Sequence, residues 1–156
     1  MFRQRPAELF FEEAKRRDVG VIVRVQLASG LLADVFDADT EIAEGDHRKA
    51  AAEGGVEDGV GGKGGETFAG VPFEEGLQAA EGIHSLVPDD VTMAQYALRW
   101  LLDFDAVTTV IPGSTSPEHV RDNAAAADLD PLSHREHGAV HDTHEEHVAE
   151  HVHHRW

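Results

Sequence analysis

The 156-residue chain contains no cysteine at all. Disulfide staples, thiol catalysis and thiolate metal sites are therefore excluded. Positive charge is scarce as well. Asp and Glu number 30 against 13 Lys and Arg, a formal charge of -17, and only three of the basic residues are lysines (Lys15, Lys49, Lys63). Such a chain repels nucleic-acid phosphates and anionic membranes, so neither is expected as a partner. The acidic, alanine-rich, lysine-poor balance is that of proteins from salt-saturated cytoplasm, where a Debye length of ~3 Å at molar salt screens self-repulsion. A halophilic origin is expected. No apolar run approaches the ~20 residues that cross a bilayer. Met1-Phe2-Arg3-Gln4-Arg5-Pro6 also lacks the apolar core of a signal peptide, so a soluble cytoplasmic protein is expected. Tyrosine occurs once, as Tyr96, within a helical apolar pattern beside Ala97 and Leu98. That setting reads as core rather than as a catalytic acid.

What is present is ordered as helix, strand, irregular stretch, two helices, strand, two helices. Pro6 opens a helical pattern with Leu9, Phe10 and Ala14 on its apolar stripe and Lys15-Arg16-Arg17 at its negative end. Val19 to Val25 reads as a strand, its Val/Ile content suited to a sheet covered on both faces. Between Ala33 and Gly70 the periodicity fails, and seven of the twelve residues from Gly54 to Gly65 are glycine. The stretch 33–70 therefore reads as a mobile acidic loop. Phe73, Leu77, Ala80, Ile83 and Val87 recur at helical spacing until Pro88, and a second helix opens with Thr92 facing Gln95 as a capping box. A last helix opens with the Ser133 and Glu136 box and runs on towards Trp156. Two parallel strands with flanking helices have this order.

The richest segment is Ile111-Pro112-Gly113-Ser114-Thr115-Ser116-Pro117-Glu118-His119-Val120-Arg121-Asp122-Asn123, which follows the β-branched run from Val107. Pro112-Gly113 stops the strand, Ser116 can cap a helix, and Pro117 suits its first position. The free N–H groups of that helix start and the hydroxyls of Ser114 and Thr115 make a candidate phosphate site. A plain, well-capped strand-to-helix turn would read the same way.

This segment resembles the C-terminal cofactor signature of the aldo-keto reductases: Ile-Pro-Gly, then Ser or Thr, then a helix carrying Arg, an acid and Asn. Upstream, Gly20-Val21-Ile22-Val23-Arg24-Val25-Gln26-Leu27-Ala28-Ser29-Gly30-Leu31-Leu32 is similar to the family strand ending in Ser-Pro-Leu-x-x-Gly-x-Leu. Thr92-Met93-Ala94-Gln95-Tyr96-Ala97-Leu98-Arg99-Trp100-Leu101-Leu102 resembles the family's Ala-Leu-Arg-Trp helix. The motifs stand in the family's order. The resemblance implies an eight-stranded βα barrel, which takes ~250 residues, and so residues 1–156 correspond to its C-terminal portion, the last two βα units. Phe2 to Glu8 resembles an internal family segment just after the sixth strand, so Met1 is expected to be an internal methionine turned start.

The resemblance further implies reduction of aldehydes or ketones by hydride transfer from NADP or NAD. It places Ser114 and Thr115 at the phosphate on the adenosine ribose, Asp122 and Asn123 at the adenine edge, and Leu27 to Gly30 near the pyrophosphate, with Gly113 and His119 in the same site. Asn suits adenine because its amide donates and accepts side by side. No residue matches the family's catalytic Asp, Tyr, Lys and His, so no catalytic residue is assigned and the chain alone is expected to be inactive. A separately encoded N-terminal barrel half is the partner implied. The departures weaken the site: His119 stands where the family usually has Arg, Thr115 where Lys is frequent, Gln26 for Pro, and Ala33-Asp34-Val35 for a Thr-Gly-Lys run. Without a fixed cation, discrimination for a 2′-phosphate falls and the cofactor is held weakly or lost.

Eight of the eleven histidines lie between His134 and His154, within the His-rich terminal helix and tail 133–156. His137, His141, His144, His147 and His151 step by three or four, so a continuous helix would align them on one face near Glu145 and Glu146. Imidazoles so spaced can bind zinc or nickel. Nothing in the sequence orients them, however, and no metal site is assigned. A non-enzymatic acidic module with a metal-binding tail is the alternative reading.

Overall fold

A computed structural model describes residues 1–53 and 67–155. A π-helical turn, Ala7–Phe11, continues into α1 (Glu12–Arg16) and leads to β1 (Val21–Val23). A 3-10 segment, Ala28–Ala33, and the short α2 (Lys49–Ala52) follow, and a further 3-10 turn, Thr67–Gly70, precedes α3 (Phe73–His84) and α4 (Met93–Leu102). Then come β2 (Val107–Val110), α5 (Pro117–Ala125), α6 (His134–His147) and α7 (Ala149–Val152). β1 and β2 pair in parallel, with Val21 opposite Val107, Ile22 opposite Thr109 and Val23 opposite Val110. A parallel pair needs a long crossover, and everything from residue 24 to 106 supplies it.

The architecture is two parallel strands with flanking helices, a partial (β/α)8 barrel. α4 forms its centre because Met93, Tyr96, Ala97, Leu98, Trp100 and Leu101 are all buried. Its capping box is formed, Gln95 N–H donating to Thr92 Oγ1 at 3.2 Å and Thr92 N–H to Gln95 Oε1 at 3.0 Å. α3 packs on α6 through Ala79, Ile83 and Val140, and Gly82 lets the helices approach, since a Cβ there would lie 3.1 Å from Thr143. Asp103, at the end of α4, accepts from Arg99 Nε (2.9 Å), from Leu132 N–H (2.9 Å) and faces His137 Nε2 (2.9 Å), which fastens α4 to the start of α6. Tyr96 is a core residue, 2% exposed, and burial pushes its hydroxyl up to about 12.

Three expectations need correction. β1 is shorter than Val19 to Val25: Val19 lies outside it and Val25 sits at φ +56°, a conformation that ends a strand and is costly for a β-branched residue. Neither strand is covered on both faces, for Ile22 in β1 is 64% exposed and Thr108 and Thr109 in β2 are exposed. The terminal helix is not continuous. It breaks at Val148 (φ −118°), so His151 does not continue the row begun at His137.

Of the stretch 33–70, residues 54–66 lie outside those described. On its near side Ala51 is buried, and on its far side Phe68 is fully buried against Phe36 and Phe73, with ring centroids 5.8 and 4.9 Å away. This aromatic cluster holds the segment after β1 over the helices, and there it forms one wall of the site.

Candidate functional site

A cleft of about 690 Å³ lies where the segment following β1 meets the turn between β2 and α5. Its size falls in the range of small-molecule sites. All eight residues singled out in the sequence border it: Leu27 and Gly30 from the first segment, and Gly113, Ser114, Thr115, His119, Asp122 and Asn123 from the second. The two segments are over eighty residues apart in sequence, and the parallel pairing of β1 with β2 brings their C-terminal ends together. That is the end at which βα barrels carry their sites.

The second wall is built as its residue types dictate. Ser116 (φ −142°) caps α5 by accepting from His119 N–H at 3.2 Å, and Pro117 occupies the first turn, where it has no N–H to leave unpaired. Asn123 Nδ2 reaches back one helix length to donate to Ser114 Oγ at 3.1 Å, which fixes the turn against the helix. Gln95 Nε2 donates to the carbonyl of Asp122 at 3.2 Å and so ties α5 to α4. Thr115 and His119 face each other, Oγ1 to Nδ1, at 3.5 Å. Gly113 is open, with nothing within 4 Å of the position a Cβ would take. Ser114, Thr115, His119 and Asp122 are exposed and Asn123 half-buried, so their hydrogen-bonding groups remain available to a ligand.

The first wall is strained. Val25, Ala28 and Ser29 have φ of +56°, +47° and +59°, and Gly30 has +113°. Consecutive residues in the left-handed region cost of order 1–3 kcal/mol each and persist where packing over-determines them, commonly around binding sites. Gly30 is required twice over: its φ suits only glycine, and a Cβ would lie 2.7 Å from Val35 and 2.8 Å from Phe36.

Two residues in the cleft have surroundings that the sequence reading did not disclose. Arg48 is the only Lys or Arg bordering it among the described residues. Its guanidinium donates to Asp46 from Nε (3.0 Å) and Nη2 (2.6 Å) and to the Ser29 carbonyl from Nη1 (3.2 Å), and it lies 5.0 Å from the centroid of Phe36. Paired so closely, the guanidinium holds the Asp46 carboxyl well below the usual carboxylate range, and the carboxylate in turn raises Arg48. A fixed cation therefore borders the cleft on the loop, although His119 replaces the expected Arg on α5. No periodicity around Asp46-His47-Arg48 could have disclosed it. The other is Gln26, in the place of the family's Pro. Its side chain is buried (7% exposed), yet neither its amide nitrogen nor its oxygen has a partner among the described residues. A buried amide left so costs about 1–3 kcal/mol, and it borders the cleft.

These donors fit a phosphorylated adenosine: hydroxyls and open backbone at a helix start, an amide for an adenine edge, one fixed guanidinium and one unsatisfied buried amide.

The family model for the Aldo/keto reductase family matches residues 1–145. No curated protein matches the chain. Among solved structures, it is similar to the aldo-keto reductase AKR11C1 from Bacillus halodurans in its holo form, at 22% identity and TM-score 0.61, over 91% of this chain and 39% of that one. The apo form of that protein gives 22% identity and TM-score 0.58 over 90% and 39%. The glycerol dehydrogenase AKR11B4 from Gluconobacter oxydans gives 22% identity and TM-score 0.67 over 94% and 39%. This chain thus spans about two fifths of the length of each. The match along nearly all of its residues disfavours a non-enzymatic acidic module. The chain belongs to the aldo/keto reductase family, of whose barrel it carries a part.

Proposed function

We propose that this chain is the cofactor-side part of an NAD(P)-dependent aldo-keto reductase and is catalytically silent by itself. The observation that carries the reading is the single cleft into which both cofactor-type segments converge, with Arg48 and the orphaned Gln26 amide on its border. In it Ser114, Thr115 and the open backbone at Gly113 would hold a phosphate on the adenosine ribose. Asn123 and Asp122 would meet the adenine edge, and Leu27, Gly30 and Arg48 would face the pyrophosphate. His119 offers an imidazole where a guanidinium would give a permanent, bidentate charge. When bound, a reduced nicotinamide supplies the hydride for an aldehyde or ketone carbonyl. The proton that completes such a reduction needs a titratable donor at the carbonyl oxygen. Tyr96 cannot be that donor, buried as it is.

The remaining barrel strands, with the proton donor, would come from outside these 156 residues. Support for this lies in the outer edges of β1 and β2, which have no strand partner among the described residues, and in the exposed Ile22 and Ile111 beside them. Open parallel edges with apolar side chains are a liability that a complementary segment removes. No helix among the described residues is long and apolar enough to cross a membrane.

The test is a fluorescence titration of NADPH and NADH into the chain. The double variant Ser114→Ala, Asn123→Ala and the single variant Arg48→Ala should each bind at least about tenfold more weakly, a charge-assisted contact being worth about 1.5–3 kcal/mol. Equal affinity for wild type and both variants would overturn the assignment of this cleft.

A further inference from the structure

We propose that His141, His144 and Glu145 on α6 form a binding site for a divalent cation that prefers imidazole ligands, with Zn²⁺ as its probe. The five-histidine row is divided by the fold. His137 is taken by Asp103, His147 lies between Glu75 and Glu146, and His151 falls beyond the break at Val148, beside Glu150. His141 and His144 are left with near-parallel rings, centroids 6.2 Å apart and 16° between planes. Glu145 Oε1 lies 3.2 Å from His144 Nδ1. One donor atom from each of the three residues lies within 4.8 Å of the other two, and no other set of His, Asp or Glu among the described residues comes so close.

Two further features point to a ligand. Gln4, itself 8% exposed, places its amide oxygen 3.1 Å from His141 Nδ1. An amide oxygen only accepts, so Nδ1 carries the proton and the lone pair of the ring is on Nε2, free to coordinate. This is the orienting contact that metal-binding histidines have in their outer shell. His144 is 3% exposed, and its Nε2 is buried with no partner among the described residues.

Tetrahedral zinc with ligands at about 2.0–2.2 Å needs donor atoms about 3.3 Å apart. Closing from 4.8 Å to that separation takes small rotations of the exposed His141 and Glu145 side chains, with His141 keeping its contact to Gln4. Behind the cluster stands His153, its ring centroid 6.1 Å from that of His144, and it is engaged by the N-terminal segment through Arg5 Nη1 at 2.9 Å and Glu8 at 3.8 Å. Two imidazoles and one carboxylate satisfy three zinc positions and leave the fourth to solvent. Through Gln4, a bound ion would fasten α6 to the residues that precede α1.

Isothermal titration of zinc chloride into the full chain tests the proposal, with the triple variant His134→Asn, His151→Asn, His154→Asn as control for the other tail histidines. One zinc per chain is expected for wild type and for that control. His141→Asn and Glu145→Gln, both surface changes that should leave the helical circular dichroism intact, should each weaken binding by on the order of tenfold or more. Zinc should raise the melting temperature of wild type and not of His141→Asn. Unchanged binding in His141→Asn and Glu145→Gln, or loss of binding in the triple control, would overturn the site.

Discussion

Gly30 and Gly113 border the same cleft under opposite constraints, and this gives the sharpest residue-scale test of its geometry. At Gly30 the positive φ and the approach of Val35 and Phe36 forbid a side chain, whereas at Gly113 a methyl group meets nothing. Gly30→Ala should therefore lower stability by about 1–3 kcal/mol, and Gly113→Ala should stay within about 0.5 kcal/mol of wild type. Urea unfolding of the two variants checks this; equal effects would mean that the loop does not take the backbone path described. Ser114 and Thr115 stand out as donors at a helix start because a β-branched run, Pro112-Gly113 and the Ser116-Pro117 cap each impose local geometry, whereas Leu27, Gly30, His119, Asp122 and Asn123 are reached only through the family resemblance. Arg48 was not legible, since a guanidinium is placed in a cleft by its carboxylate, a carbonyl and an aromatic ring, none of which leaves a periodic trace. Gln26 was visible as a substitution, but its isolation is a property of packing.

At the scale of elements, helix starts were read more securely than strand ends. The capping boxes Thr92/Gln95 and Ser133/Glu136 are both formed, because capping is decided within four residues. In the second, Glu136 accepts from Ser133 N–H at 2.7 Å and Ser133 Oγ accepts from Glu136 N–H at 3.3 Å. Ser133→Ala should cost about 1 kcal/mol. Because α6 carries Val140 and His144 into the core, the loss should appear in the global thermal melt rather than as local fraying; an unchanged melting temperature would count against that coupling. The break at Val148 and the shortening of β1 at Val25 escaped detection, since each follows from tertiary packing that overrides a locally regular pattern. The irregular composition from Ala33 onward likewise hid the burial of Phe68, which depends on partners at positions 36 and 73.

At the scale of the whole molecule, a net charge of -17 acts on a partial barrel with two strand edges that are unpaired among the described residues. The Debye length shortens from ~10 Å at 0.1 M salt to ~3 Å at 1 M, so repulsion among surface carboxylates should fall steeply over that range. The near-UV circular dichroism melt should move to higher temperature and sharpen in molar salt, and a salt-indifferent melt would contradict this electrostatic account. The central claim, that the chain holds the nucleotide end of a reductase site without its proton donor, is tested most directly by following NADPH fluorescence in molar salt with the chain and an aldehyde both present. The expected result is a saturable rise in emission as NADPH is added, followed by a signal that stays constant. A decay that depends on both chain and aldehyde, or no rise at all, would contradict it.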